Sequence, residues 1–134
     1  LAIAALVAAA PSPLIAGEVT SSFGMRKDPF HGGQRRHNGL DIAAPTGTPV
    51  YATANGVVDY ASWKGSYGKL IQIKHPSGHE TRFAHLSEIL IVRGQVVRKG
   101  QLIGRVGSTG RSTGPHLHYE VRYRGKPLDP RSFM

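Results

Sequence analysis

Two stretches of the sequence combine histidine with carboxylate residues at even spacing. The first is GPHLHYEV, residues 114–121. Side chains two residues apart in a β-strand lie on the same face, so His116, His118 and Glu120 would share one face while the apolar residues between them turn towards the core. This pattern is typical either of a functional row of titratable groups or of an ordinary solvated strand face.

The second stretch is HNGLD, residues 37–41. His37 and Asp41 are four residues apart, and the Asn38-Gly39 pair between them favours a turn-like approach over a helix. With an imidazole from His118 they form a set of two nitrogen ligands and one oxygen ligand. A catalytic zinc uses three protein ligands and keeps a fourth position for water. The alternative is a structural His–Asp pair beside a turn.

Proton transfer would need further groups. The sequence has no glutamate in an HExxH arrangement that could serve as a general base. In a hydrolase, histidines would then carry the protons, and His85 and His116 are the available candidates. Glu120 is either a partner that orients an imidazole or a surface carboxylate, and we favour the surface carboxylate.

Three further histidines are expected to have no part in the site. His75 and His79 have metal-like spacing, but the turn residues Pro76-Ser77-Gly78 lie between them, so both should flank an exposed hairpin tip. His31 lies in a glycine-rich stretch, for which lining of a groove is the minor alternative.

The elements that would position these groups are predicted to be strands. The 134 residues are 40% hydrophobic, as expected for a folded domain, and the 17 glycines separate short apolar runs. No window shows a clear helical period. The fold is therefore predicted to be mainly β, an antiparallel sandwich or barrel-like core with a groove at the metal site and few short helices. The candidate strands are residues 19–23, 50–52, 57–61, 70–75, 80–85, 102–106 and 116–122.

Residues 1–17 are predicted to be a separate N-terminal segment, with the domain at 18–134. LAIAALVAAA is apolar but shorter than the roughly 20 residues that a membrane-spanning helix needs. It is either the remnant of a signal peptide or a linker, and Pro11-Ser12-Pro13 separates it from the domain. The absence of cysteine excludes disulfides and thiolate metal sites and is compatible with an oxidising envelope compartment.

The charge balance favours an anionic partner. There are 17 Lys and Arg against 8 Asp and Glu, a formal net charge of +9. The basic residues are scattered and form no recognised nucleic-acid motif, so no nucleic acid is expected as a partner.

Three motifs in order, HNGLD, FAHLSE and GSTGRSTGPHLHYEV, resemble the lysostaphin/LytM-type zinc metalloendopeptidases, which cut peptide cross-bridges of bacterial peptidoglycan. The resemblance covers residues 18–134, and Phe83 stands where such proteins often have tyrosine. It implies an antiparallel β core and one Zn²⁺ per chain, with the following residues in the site: ligands His37, Asp41 and His118; catalytic histidines His85 and His116; and groove residues Asn38, Ser108 and Thr109.

The resemblance also implies a substrate and a location. The partners would be peptidoglycan stem peptides and cross-bridges. A regulatory partner from the envelope is compatible with the resemblance. The location would be periplasmic or extracellular. The bond would be either the D-alanyl–diaminopimelate cross-link, which we favour, or a glycine bridge.

Two other functions are compatible with parts of the sequence. A non-catalytic peptidoglycan-binding or amidase-activating module of the same fold would not need the intact site residues. A carrier domain is suggested by GQVVRKGQLIG (94–104), which resembles the hairpin of biotinyl and lipoyl domains with Lys99 near its turn. That interpretation leaves the site residues unexplained.

Overall fold

The structure is a computed structural model that describes residues 12–14, 18–21, 24–27 and 34–130, with side chains described at 12–14 and 38–130. His31 and most of the predicted N-terminal segment lie outside these residues. Pro13 and Leu14 precede the predicted domain start at residue 18, yet they pack on the domain: the Pro13 carbonyl accepts a hydrogen bond from the Tyr51 amide at 2.9 Å, and Leu14 is buried.

The described chain is built almost entirely of strands, with a single 3-10 turn at Gly65–Tyr67. The described residues contain no helix with the length and apolar character needed to cross a bilayer. The strands are β1 (Glu18–Ser21), β2 (Gly24–Lys27), β3 (Gln34–His37), β4 (Leu40–Ala43), β5 (Pro49–Tyr51), β6 (Gly56–Trp63), β7 (Lys69–Lys74), β8 (His79–Ile89), β9 (Val96–Val97), β10 (Leu102–Val106), β11 (His116–Tyr123) and β12 (Lys126–Leu128).

Ten of these strands form one antiparallel sheet in the order β1-β4-β11-β8-β7-β6-β9. β12 pairs with β11, and β10 pairs with both β8 and β5, while β2 and β3 form a separate two-stranded sheet. Among the described strands the main path ends at β1 and β9, so the sheet does not close into a barrel. The prediction of a mainly antiparallel β fold with little helix is confirmed.

The most informative error in the predicted strands concerns β8. The sequence predicts a strand that ends at residue 85, but β8 continues to Ile89. Its first part pairs with β11 up to Ala84, and its second part pairs with β10 from Leu86 onwards. His85 lies at this junction with a φ of 62°, a left-handed conformation that is rare outside glycine.

The core lies against the apolar face of the central strands. Leu117, Tyr119 and Val121 of β11 are at most 2% exposed, as their alternation predicts, and the ring of Phe83 packs on Tyr119 at a centroid distance of 5.3 Å. Phe83 is therefore part of the core packing.

Gly39 lets the start of β4 lie directly against β11. A Cβ added there would be 2.3 Å from the Tyr119 carbonyl oxygen and 2.9 Å from Cγ of Glu120, closer than real contacts allow. The glycine in HNGLD is therefore required by a close approach of two backbones.

We expect Gly39→Ala to lower the free energy of unfolding by about 1–3 kcal/mol, because the added methyl group must push β4 away from β11. Urea denaturation measures the change. Gly114→Ala is the matched control, since a Cβ at Gly114 meets no atom within 4 Å. Equal changes in the two variants would contradict the packing explanation.

The β7–β8 hairpin differs from the prediction, because His75 and His79 are buried rather than exposed, at 5% and 4%. Nδ1–H of His75 donates to the Asn55 carbonyl at 2.7 Å, and its Nε2 accepts from the Thr81 hydroxyl at 2.9 Å. The ring of His79 packs against Tyr123. The turn lies at Pro76-Ser77-Gly78 as the sequence predicts, but a sequence does not show that other segments of the chain cover the histidines beside it.

Burial lowers the pKa of His75 below its ordinary value of 6.5. At His75 the unfolded chain therefore binds more protons than the folded one, so the contribution of His75 to stability is full above pH 6.5 and decreases as the pH falls below it. We expect urea denaturation between pH 6.5 and pH 5 to show a steeper loss of stability with falling pH in the wild type than in His75→Asn. The variant keeps a pH dependence of its own, because burial also lowers the pKa of His79 and His85. Equal slopes would exclude His75 as a source of the pH dependence.

Candidate metal centre

Three neighbouring strands bring the candidate residues together. β11 pairs with β4 so that His118 lies opposite Asp41, and it pairs with β8 so that His118 also lies opposite Ala84. His85 is the next residue along β8, at its junction with β10. The site thus forms where three strands of one sheet meet, although its residues are far apart in the sequence.

Asp41 and His118 face each other across the β4–β11 ladder. Nδ1 of His118 lies 2.8 Å from Oδ1 of Asp41, and Nε2 of His116 lies 3.7 Å from the same oxygen. All three side chains are largely shielded from solvent, with 10–15% of each exposed. The structure therefore brings together three of the predicted site residues.

The other nitrogen of His118 is bound to Glu120. Nε2–H of His118 donates to Oε2 of Glu120 at 2.7 Å, and the carboxylate is only 1% exposed. The interpretation of Glu120 as a surface carboxylate was wrong, and the alternative of an orienting partner agrees with the geometry. Strand parity placed Glu120 on the correct face, but it did not reveal that Tyr67, from the turn before β7, covers that face.

The surroundings of His118 stabilise positive charge. Burial by itself lowers the pKa of His118, but the hydrogen bonds with Asp41 and Glu120 outweigh it and raise the pKa to about 9. Burial likewise raises the pKa of Glu120, but hydrogen bonds from His118 and Arg122 outweigh it and lower the pKa to about 2. The two carboxylates thus favour the protonated, positively charged form of the His118 ring.

His85 is held by a backbone carbonyl. Its Nδ1–H donates to the Thr109 carbonyl at 2.7 Å, which leaves Nε2 with the lone pair in the neutral ring. Burial lowers the pKa of His85 to about 4, so the ring is neutral near pH 7. Its ring centroid lies 4.8 Å from that of His116 and 5.9 Å from that of His118.

His116 is fixed in the same way. Its Nδ1–H donates to the Gly114 carbonyl at 2.8 Å, and the Ser112 hydroxyl lies 3.2 Å from the same nitrogen. Nε2 is therefore the nitrogen that His116 presents towards Asp41. The two histidines that flank the Asp41–His118 pair each offer Nε2 as a proton acceptor when neutral.

The predicted groove residues differ in what they contact. Thr109 supports His85 through its carbonyl, and its hydroxyl donates to the Leu86 carbonyl at 2.7 Å. The Ser108 hydroxyl donates to Ser112 at 2.9 Å. Asn38 is half-buried at the start of β4.

His37 ends β3, where its backbone pairs with Gly24, but its side chain lies outside the described side chains. Within the described part of the chain, no group of three His, Cys, Asp or Glu side chains is arranged to hold a metal ion. The Asp41–His118 pair fits a metal nevertheless. Glu120 occupies Nε2 of His118, so Nδ1 remains for a cation next to a carboxylate oxygen, and imidazole and carboxylate are both zinc ligands.

Comparison with known proteins agrees with this fold. Over 118 residues the chain is 51% identical to the DD-carboxypeptidase/endopeptidase Mpg of Neisseria meningitidis serogroup B, covering 88% of this chain and 27% of that protein. The chain spans about a quarter of the length of the curated relatives it matches.

Solved structures show the same fold. A zinc-containing peptidase from Vibrio cholerae superposes with a TM-score of 0.82 at 43% identity, covering 89% of this chain and 38% of that one. The catalytic domain of lysostaphin from Staphylococcus simulans gives a TM-score of 0.80 at 32% identity, covering 87% of this chain and 91% of that one. These likenesses confirm the predicted resemblance. Since residues 35–130 also match Peptidase family M23, the chain belongs to that family.

Proposed function

We propose that this domain is a zinc-dependent endopeptidase that hydrolyses peptide cross-links of bacterial peptidoglycan. The observation that carries the proposal is the Asp41–His118 pair, with two histidines beside it that each present Nε2. The relatives that bear the names of peptidoglycan DD-endopeptidases support the same reaction class.

We assign one Zn²⁺ per chain to His37, Asp41 and His118. Bound there, zinc would polarise the scissile carbonyl and make a water molecule more acidic. Glu120 would hold the His118 ring in the required orientation through Nε2. The proximity of Asp41 and His118 supports two of the three ligands, and His37 is assigned from the resemblance.

The chain's own histidines would move the protons. Nε2 of His85 or of His116 accepts a proton from the attacking water as the new C–O bond forms. The protonated ring then donates a hydrogen bond to the developing oxyanion or gives its proton to the leaving amine as the C–N bond breaks. The Thr109 and Gly114 carbonyls keep both rings oriented by accepting their Nδ1–H bonds.

We favour the D-alanyl–diaminopimelate cross-link as the bond that is cut. The DD-carboxypeptidase/endopeptidase name of the neisserial relative supports it, while the likeness to lysostaphin keeps a glycine bridge as the alternative. Action on this polymer would place the domain in the periplasm or outside the cell, where a regulatory partner from the envelope would also act.

The non-catalytic module is less well supported. A domain that only binds peptidoglycan has no need for two histidines fixed beside an Asp–His pair, yet His85, His116, His118 and Asp41 are present and assembled. The carrier-domain interpretation gives no role to these residues.

Digestion of purified peptidoglycans tests the reaction. We expect the zinc-loaded protein to release products cut at the D-alanyl–diaminopimelate bond, identified by mass, and to leave glycine-bridged walls intact. A chelator should abolish the activity and added zinc should restore it. A zinc-loaded protein that cuts neither wall would contradict the proposed function, and one that cuts only glycine bridges would contradict the proposed bond.

Single substitutions separate metal binding from proton transfer. His118→Ala leaves only two protein ligands, so we expect loss of both zinc and activity. His116→Ala and His85→Ala retain the ligands, so zinc should remain while turnover falls by about 10² to 10⁴. Metal analysis and cleavage rates on the purified variants measure both effects. Zinc lost from His116→Ala but retained by His118→Ala would reverse the assignment within this pair.

A further inference from the structure

We propose that Glu120, Tyr67 and Arg122 form a positioning unit that decides which nitrogen of His118 is offered to the metal. The inference deepens the proposed function and rests on it. None of the three residues would contact metal or substrate, and all of them would act through His118.

The Glu120 carboxylate accepts every hydrogen bond that it makes within this unit. Oε1 accepts from Nε of Arg122 at 2.7 Å, and Oε2 accepts from Nε2 of His118 at 2.7 Å and from the Tyr67 hydroxyl at 2.9 Å. An ionised carboxylate can only accept hydrogen bonds. Nε2 of His118 must therefore carry a hydrogen, and in the neutral ring the lone pair lies on Nδ1, 2.8 Å from Oδ1 of Asp41.

The Tyr67 hydroxyl is directed at Glu120 by two arginines. Nη1 of Arg82 donates to the Tyr67 oxygen at 3.1 Å, and Nη2 of Arg122 lies 3.3 Å from it. Because guanidinium groups only donate, the Tyr67 oxygen is the acceptor in both contacts and its single hydrogen is left for Glu120. Tyr67 thus adds a donor to the oxygen that also holds His118.

The turn that carries Tyr67 is fixed against the segment that holds His85. Gly68 packs so tightly on Thr109 that an added Cβ would be 2.4 Å from the Thr109 carbonyl carbon. The Arg111 amide donates to the Ser66 carbonyl at 2.8 Å, and the Lys69 amide donates to the Thr109 hydroxyl at 3.1 Å. The Tyr67 hydroxyl is therefore held by packing as well as by its hydrogen bonds.

Glu120→Gln tests the unit because it keeps the shape and exchanges one acceptor oxygen for an NH₂ donor. Arg122 must face the remaining oxygen, since its N–H cannot face an NH₂ group. The NH₂ group then faces Nε2 of His118, which has to accept, and this moves the ring hydrogen to Nδ1. In that tautomer Nδ1 carries the hydrogen and has no lone pair for a metal. Moving the hydrogen back to Nε2 would break the hydrogen bond that Nε2 accepts from the new NH₂ group.

We expect Glu120→Gln to weaken zinc binding by about 10- to 100-fold, the usual effect of losing a partner that orients a ligand. Competition with a chromophoric chelator measures the zinc dissociation constant without any assay of activity. Tyr67→Phe removes only the hydroxyl and should shift the constant in the same direction by less. In the zinc-loaded wild type, ¹⁵N NMR should show Nε2 of His118 protonated and Nδ1 bound.

Two control variants carry the same chemical changes elsewhere. Glu88→Gln alters an exposed carboxylate that pairs with Arg105, and Tyr60→Phe removes a hydroxyl that donates to the Trp63 carbonyl. Both should bind zinc as the wild type does. Thermal melting of the metal-free proteins checks that Glu120→Gln still folds, and if it does not, Tyr67→Phe provides the test.

The outcomes separate this inference from the proposed function. A wild type that binds no zinc would overturn both. A wild type that binds zinc while folded Glu120→Gln binds it equally well would overturn only the positioning unit. Where Glu120→Gln does not fold, unchanged zinc affinity in Tyr67→Phe would overturn it. ¹⁵N NMR showing zinc on Nε2 of His118 would also overturn it.

Discussion

The site depends on the register of one central strand. β11 is paired on one side with β4 and on the other with β8, and this double pairing sets His118 opposite both Asp41 and Ala84. A shift of either ladder by one residue would turn His118 to the opposite face of the sheet. The close approach at Gly39 and the buried apolar alternation of β11 hold this register, so the same interactions that form the core also assemble the site.

The buried charge of Glu120 is matched by its neighbours. Glu120 lies under Tyr67 with His118 and Arg122 as partners, and a carboxylate buried without such donors would be costly. The polar contacts continue across the sheet, because Arg82 bonds both Tyr67 and Gln72, and the Gln72 amide bonds Asp59. One face of these strands therefore packs apolar side chains, and the other carries a connected polar network that includes His118 and Asp41.

The relative positions of several candidate residues could be predicted from residue types and spacing. The structure shows Asp41 next to His118, His116, His118 and Glu120 on one face, and His85 beside them, while the roles of these residues stay predictions. The errors share a cause. Burial of His75, His79 and Glu120 and the continuation of β8 beyond His85 all depend on segments that pack there from elsewhere in the chain. A local pattern contains no information about such long-range neighbours.

The sequence by itself determined the class of fold and the family resemblance and supplied the candidate site residues, because side-chain alternation, turn residues and motif order are local properties. Only the tertiary structure decided the proton positions. The Thr109 and Gly114 carbonyls fix Nδ1–H in His85 and His116, whereas Glu120 takes Nε2–H of His118. The nitrogen that an imidazole presents is set by the acceptor that its other nitrogen meets. The Thr109 carbonyl is brought to His85 by packing between distant segments, and the Glu120 carboxylate, although local to His118, is covered by Tyr67 from another segment.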